Sequence, residues 1–129
     1  MSFTTCRLGT LPDAIAPDGS EVRGLCSTSR GSLARFTLPP HAVSKAVAHR
    51  SVEEVWYFVS GRGQMWRRSH DRDEIVDVEP GVATSIPVGA HCQFRSLSPE
   101  PLEALGTTMP PWPGDDEAVA VHGVWSPTV

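Results

Sequence analysis

The sequence predicts an all-β domain, a sandwich or barrel of short antiparallel strands. Twelve prolines and eleven glycines punctuate the chain, and the stretches between them are rich in Val, Phe, Trp and Thr and mostly too brief for helices. Turn signals recur about every ten residues, the rhythm of a closed or double-layered β architecture. With 129 residues, the chain has the size of one domain that can bury a hydrophobic core without disulfides.

Residues 1–20 contain "LPDAIAPDGS", where two prolines and an Asp-Gly predict an irregular arm. The barrel is then expected over 21–109. Its strands are predicted at 21–28 (EVRGLCST), 32–38 (SLARFTL), 44–49 (SKAVAH), 53–59 (EEVWYFV), 63–69 (GQMWRRS), 73–78 (DEIVDV), 82–86 (VATSI), 91–97 (HCQFRSL) and 102–109 (LEALGTTM). "SGRG" (60–63) and "HDRD" (70–73) separate consecutive strands, and "EPG" (79–81) carries the Pro-Gly pair of a type II turn. In 53–59 both alternating sets are apolar: Val55, Tyr57 and Val59 on one side, Trp56 and Phe58 on the other. That pattern predicts burial on both faces, against a second sheet or a second subunit. "MPPWPGDDEA" (109–118) ends the strands and opens a lid or tail over 110–129, with room for a short helical turn within 115–121.

A net charge of −4 gives no electrostatic footprint for nucleic acid, and the ten arginines are dispersed among fifteen acids. No apolar stretch approaches the roughly 20 residues that span a bilayer. Cys6, Cys26 and Cys92 are odd in number and form no C-x-x-C, and no basic-plus-apolar leader opens the chain. These features predict a cytoplasmic protein with free thiols.

Two stretches carry the candidate chemistry. In "HRSVEEVWYFVSGRG", His49 precedes Glu54 by five positions, and Glu54 precedes Gly61 by seven. In "GVATSIPVGAHCQFR", Gly81, Pro87, Gly89 and His91 follow one another in a second ordered pattern. The first resembles the cupin motif G-x5-H-x-H-x3,4-E-x6-G, and the second resembles G-x5-P-x-G-x2-H-x3-N. The runs "H-x-Q-F-R" and "P-P-W-P-G" are similar to those of small single-domain bacterial cupins. The resemblance implies a cupin-type antiparallel double-stranded β-helix, or jelly roll, that commonly dimerises, hence a homodimer with a small-molecule substrate.

It also implies a metal site. His49, Glu54 and His91 would form a two-histidine, one-carboxylate set for a divalent transition metal such as Fe, Zn, Ni or Mn. Val47 stands where the first histidine of H-x-H belongs, and the second motif is one residue short, so strict spacing would place Cys92 in the ligand position. Strand alternation groups His91, Gln93 and Arg95 on one polar face and Cys92, Phe94 and Ser96 on the other. Gln93 is the candidate for a weaker fourth ligand or a substrate hydrogen bond. Glu54 and Gln93 are the candidates for moving protons, and Gln64, Gln93, Arg95 and Trp112 for contacting substrate. The plain alternative for His49 and Glu54 is a buried histidine–carboxylate pair.

Three functions follow as expectations. The first is a metal-dependent enzyme of oxygenase or isomerase/lyase type acting on a small organic metabolite. The second is a metal-free acid/base isomerase or cyclase using His49 and His91. The third is a non-catalytic module that binds a sugar or another metabolite.

Overall fold

The computed structural model describes residues 2–129. Eleven strands follow the arm: β1 (Ala14–Ile15), β2 (Glu21–Ser27), β3 (Ser32–Leu38), β4 (Val47–His49), β5 (Glu53–Ser60), β6 (Gly63–Ser69), β7 (Arg72–Val78), β8 (Ala83–Ile86), β9 (His91–Ser96), β10 (Leu102–Met109) and β11 (Ala118–Ala120). A single 3₁₀ turn, Asp115–Glu117, is the only helical element among the described residues. Every strand pairing is antiparallel. One sheet runs β1-β2-β3-β10-β5-β8, and the other runs β11-β4-β9-β6-β7. The all-β jelly roll expected from the sequence is the observed architecture.

The local chemistry explains the connections. Val82 N–H donates to Glu79 O at 3.1 Å, and Gly81 between them has φ 99°. This is the type II turn that Pro80 and Gly81 predict, because its third position needs a positive φ that glycine adopts without a steric cost. β10 alternates buried and half-buried residues along its whole length, as expected of a strand with one face on the core.

The core lies between the sheets. Leu38, Phe58, Met65, Val78, Phe94 and Leu102 are almost fully buried. Trp56 stacks on Phe36 with ring centroids 4.8 Å apart and meets Phe94 edge-on at 5.1 Å. Its indole lies over Gly106, its partner across β5 and β10. A Cβ at Gly106 would stand 2.6 Å from the Phe36 ring and 3.0 Å from the indole, so the aromatic stack requires glycine there.

Within the chain, one of the two apolar sets of β5 meets the core. Trp56 and Phe58 face the core, whereas Val55 and Tyr57 are 48% and 50% exposed on the outer face. No second sheet of the same chain covers them among the described residues.

The other sheet is covered on its outside. Residues 121–129 run along it: Thr128 exchanges hydrogen bonds with Val43 through its N–H and its Oγ1, and Val129 packs against the core cluster. The lid or tail expected over 110–129 therefore divides into two parts. Pro111 and Trp112 border the barrel cavity, while residues 121–128 run beside Val43–Ala46 and cover Gln93 and Arg95 on the outer face of β9.

Candidate functional site

β4 enters the barrel with Val47 and His49 pointing inward, and β5 leaves with Glu54 and Trp56 on the same side. Two residues an odd number of positions apart face the same way only if the chain breaks strand alternation between them, and the bend at Arg50–Val52 does so. Glu117 holds that bend. Its carboxylate accepts from Ser51 N (2.7 Å), Ser51 Oγ and Val52 N (3.2 Å), and its carbonyl accepts from Arg50 N (3.0 Å). Those donors, led by the Ser51 hydroxyl, lower the Glu117 carboxyl to about 2, since hydrogen bonds to the charged form favour it.

The inward groups open on a cavity of about 390 Å³. Most of its wall is apolar, from Ile15, Val22, Leu25, Leu33, Phe36 and Trp112, and its polar end is made by Asp18, His49 and Glu54. Trp112 meets the His49 ring edge-on at 5.2 Å, and its backbone N–H donates to Ser32 Oγ at 3.2 Å. A small recess of about 20 Å³ extends beneath the polar end toward Cys92 and Phe94.

His49 Nδ1 lies 3.4 Å from Glu54 Oε2. The distance fits an ion pair, but the surroundings oppose charge on both partners. Burial pushes the Glu54 carboxyl up to about 8; an interaction with the Trp56 side chain draws it down, and the Asp18 carboxylate adds to the rise. Burial also lowers the His49 imidazole, partly offset by Glu117 and Asp18. Desolvation disfavours the charged form of each group. Both shifts favour the uncharged forms, a carboxylic acid facing a neutral imidazole. His49 Nδ1 and Trp56 Nε1 are both buried without a well-formed hydrogen bond among the described residues, an unusual state for polar atoms at a cavity wall.

Asp18, from the arm, completes the polar end. Its carboxylate accepts from Ser20 N (2.9 Å) and Ser20 Oγ (2.7 Å). Burial raises its carboxyl, and those hydrogen bonds oppose the rise.

The expected metal set is not assembled. β4 and β9 pair Val47 with Cys92 and Ala48 with His91, so Cys92 shares the inner face with Val47 and His49, and His91 points outward. There its ring stands 6.3 Å from Trp66, edge-on. The missing residue between Gly89 and His91 displaces the second-motif position onto Cys92, whose thiol is pushed up by burial and is a poor ligand in that state. Among the described residues, no group of three or more His, Cys, Asp or Glu side chains, the Asp18, His49 and Glu54 of the polar end included, has the geometry to hold an ion. The residues present do not fit the divalent metal that the resemblance implies.

The other outward residues of β9 are corrected by the same parity. Gln93 is completely buried, but beneath the C-terminal segment. Its Nε2 donates to Ser44 O (2.8 Å) and Trp125 O (2.9 Å), and its Oε1 accepts from Val124 N (2.9 Å) and Trp125 N (3.1 Å). Arg95 lies over the Trp125 ring at 4.3 Å and donates from Nη2 to Gln64 Oε1 at 2.7 Å. Gln64 Nε2 in turn donates to Asp77 Oδ1 at 3.1 Å. None of Gln64, Gln93 and Arg95 borders the cavity. Of the expected substrate contacts, the structure places only Trp112 there.

Sequence reasoning does not single out Asp18, Trp56 or Glu117 for the site. The "DGS" at 18–20 does carry a signal, since an Asp two residues before a Ser forms a local Asx turn. Glu117 has none, because its partners lie 65 and 66 positions away.

No family model matches the chain, and no curated protein matches it by sequence. Solved structures of similar fold do exist. A variant oxalate decarboxylase from Bacillus subtilis superposes with a TM-score of 0.77 at 16% identity over 94% of this chain. This chain spans only 33% of that protein. KdgF from Halomonas sp. gives 0.65 at 17% identity, covering 77% of this chain and 86% of its own. A Bacillus halodurans protein gives 0.65 at 18% identity, covering 78% and 74%.

Proposed function

From the premise that this chain has the cupin fold, we propose that it takes a small, largely apolar metabolite into the barrel and moves a proton on it, with Glu54 as acid and His49 as base. The observation that carries this reading is the His49–Glu54 pair, 3.4 Å apart and buried at the polar end of a cavity of about 390 Å³. An acid raised to about 8 is still protonated at neutral pH, and an imidazole kept neutral can accept. Two groups whose environments keep one protonated and the other unprotonated have the arrangement that acid/base exchange needs.

The surroundings support an oxygen-bearing group in the substrate. Trp56 Nε1–H lacks a well-placed acceptor among the described residues, and a carbonyl or hydroxyl oxygen at the polar end would supply one. The apolar wall suits the hydrocarbon body of the molecule and Trp112 its outer side. Removal of a proton by His49 and return of one from Glu54 is an isomerisation or epimerisation, with no net change in oxidation. Manganese centres are described in the Bacillus subtilis oxalate decarboxylase. Here the donor set favours the metal-free alternative.

Incubating the protein in D2O with a panel of small hydroxy- and keto-compounds tests this. Deuterium should enter one carbon position of an accepted compound and do so at least tenfold more slowly with Glu54→Gln or His49→Ala. The same protein should show no stoichiometric metal by elemental analysis and keep its exchange after chelator treatment. Exchange abolished by chelator and restored by a divalent ion would establish the metal-dependent reading instead. Saturable binding without exchange would leave a binding module.

A further inference from the structure

A second chemical feature lies outside the barrel. Cys6, in the arm, and Cys26, in β2, place their Sγ atoms 3.0 Å apart. Cys6 is exposed, Cys26 is half-buried, and both are free thiols. The register between β2 and β3 slips between Gly24 and Ser27, and such a bulge re-aims the side chains it carries. Leu25 and Ser27 border the cavity while Cys26 does not.

The arm lies along the open edge of β2. Arg23 donates to Gly9 O (3.1 Å) and Thr10 O (3.2 Å), Gly24 N donates to Asp13 Oδ2 (2.7 Å), and Asp13 N donates to Val22 O (2.8 Å). Residues 2–15 are exposed throughout, so this edge is held by a few hydrogen bonds open to water and belongs to the weakly held part of the fold. Yet the arm continues directly into Ala14–Asp18, which wall the cavity and bring Asp18 to its polar end.

We propose that Cys6 and Cys26 are a reversible oxidation site, and that their disulfide fastens the arm over the cavity wall. The oxidant is a small-molecule disulfide such as oxidised glutathione. The Cys26 thiolate attacks one of its sulfurs, forming a mixed disulfide and releasing one glutathione thiolate. The Cys6 thiolate then attacks Cys26 Sγ and releases the second. Two protein thiols are oxidised, one disulfide is reduced to two thiols, and the two cysteine protons pass to the departing thiolates. The contact between the thiols holds Cys26 below its ordinary value and raises Cys6, which suits Cys26 to the first attack. Cys92, buried in the barrel, takes no part. The bond would close the chain from residue 6 to residue 26 around the whole wall segment, where it restrains every opened form of the arm.

Trypsin digestion without reductant after equilibration with oxidised glutathione tests the chemistry. Cleavage after Arg7, Arg23 and Arg30 should yield peptides 1–7 and 24–30 joined by a disulfide, lighter by two hydrogens than their sum, with Cys92 unmodified. Recovery of the two cysteines only as separate glutathione adducts, or in disulfides between molecules, would overturn it. Hydrogen exchange tests the consequence. Amides of residues 14–18 should exchange several-fold more slowly in the oxidised protein than in the reduced one, and this difference should vanish in Cys6→Ser. A disulfide that forms while exchange at 14–18 is unchanged would overturn the fastening role. Neither readout depends on the activity proposed for His49 and Glu54.

Discussion

Along β9, Cys92 and Phe94 point into the barrel and border the recess beneath His49 and Glu54, while His91, Gln93 and Arg95 point away from it. The inner row meets unpartnered polar atoms and open volume. The outer row meets a hydrogen-bonded tail. The same strand thus supplies a site wall on one side and an anchor on the other. The distinction that decides what a residue does here is parity rather than side-chain chemistry, because a shift of one residue moves every side chain to the opposite face.

Breaking the outer row should have the largest effect. Gln93→Ala removes two donors and one shared acceptor, leaving Val124 N, Trp125 N and two carbonyls without partners. Each buried group left unsatisfied costs about 1–3 kcal/mol, relieved partly if the tail peels away into water. A loss of about 3–4 kcal/mol in urea unfolding is expected on that basis, together with faster hydrogen exchange across 121–129. A loss below about 1 kcal/mol, less than one such group costs, would show that the tail is not an anchored part of the fold.

Changing the inner row should alter the pH dependence instead. Glu54 has a folded value raised to about 8 from 4.5, so its contribution to stability is complete below about pH 4.5 and is lost as pH rises through 8. His49 is lowered from 6.5, so its contribution is present above about 6.5 and is lost on acidification. One pKa unit corresponds to about 1.36 kcal/mol, and relaxation around a buried carboxylate reduces the full value, so Glu54 should remove roughly 2–4 kcal/mol between about pH 5 and pH 9. Glu54→Gln should flatten unfolding free energy over that window and leave in place the loss on acidification to which His49 and, at lower pH, Glu117 contribute. Parallel curves for the two proteins would mean that Glu54 is ionised in the fold and paired.

The all-β architecture was legible because it rests on signals spread over the chain. Turns such as Glu79–Val82 announce themselves through Pro-Gly, and β10 through its alternation. The inward pair His49 and Glu54 was legible for a related reason: both lie close in sequence, beside the bend that resets alternation. What failed depended on long-range contacts. That Gln93 serves the tail follows from Val124 and Trp125, 31 and 32 positions away. That no second sheet of the chain lies over Val55 and Tyr57 was equally hidden, because no property of a strand reveals whether another layer covers it. The choice between His91 and Cys92 turned on one residue between Gly89 and β9, and only the pairing of Val47 with Cys92 decides it.

His91 therefore gives the smallest and most discriminating effect. It is half-buried on the outer face, touching Trp66 edge-on at 6.3 Å. His91→Ala gives up one aromatic contact, worth about 0.5–1 kcal/mol, and leaves the inner face untouched. At neutral pH its unfolding free energy should fall short of that of the unmodified protein by no more than that amount, and deuterium exchange on an accepted compound should be unchanged. His49→Ala should slow the exchange at least tenfold and remove the His49 part of the loss on acidification. If the two alanine variants lost exchange equally, β9 would have to present its other face to the barrel, and the pairing of Val47 with Cys92, from which the whole assignment of inner and outer rows follows, would be wrong by one residue.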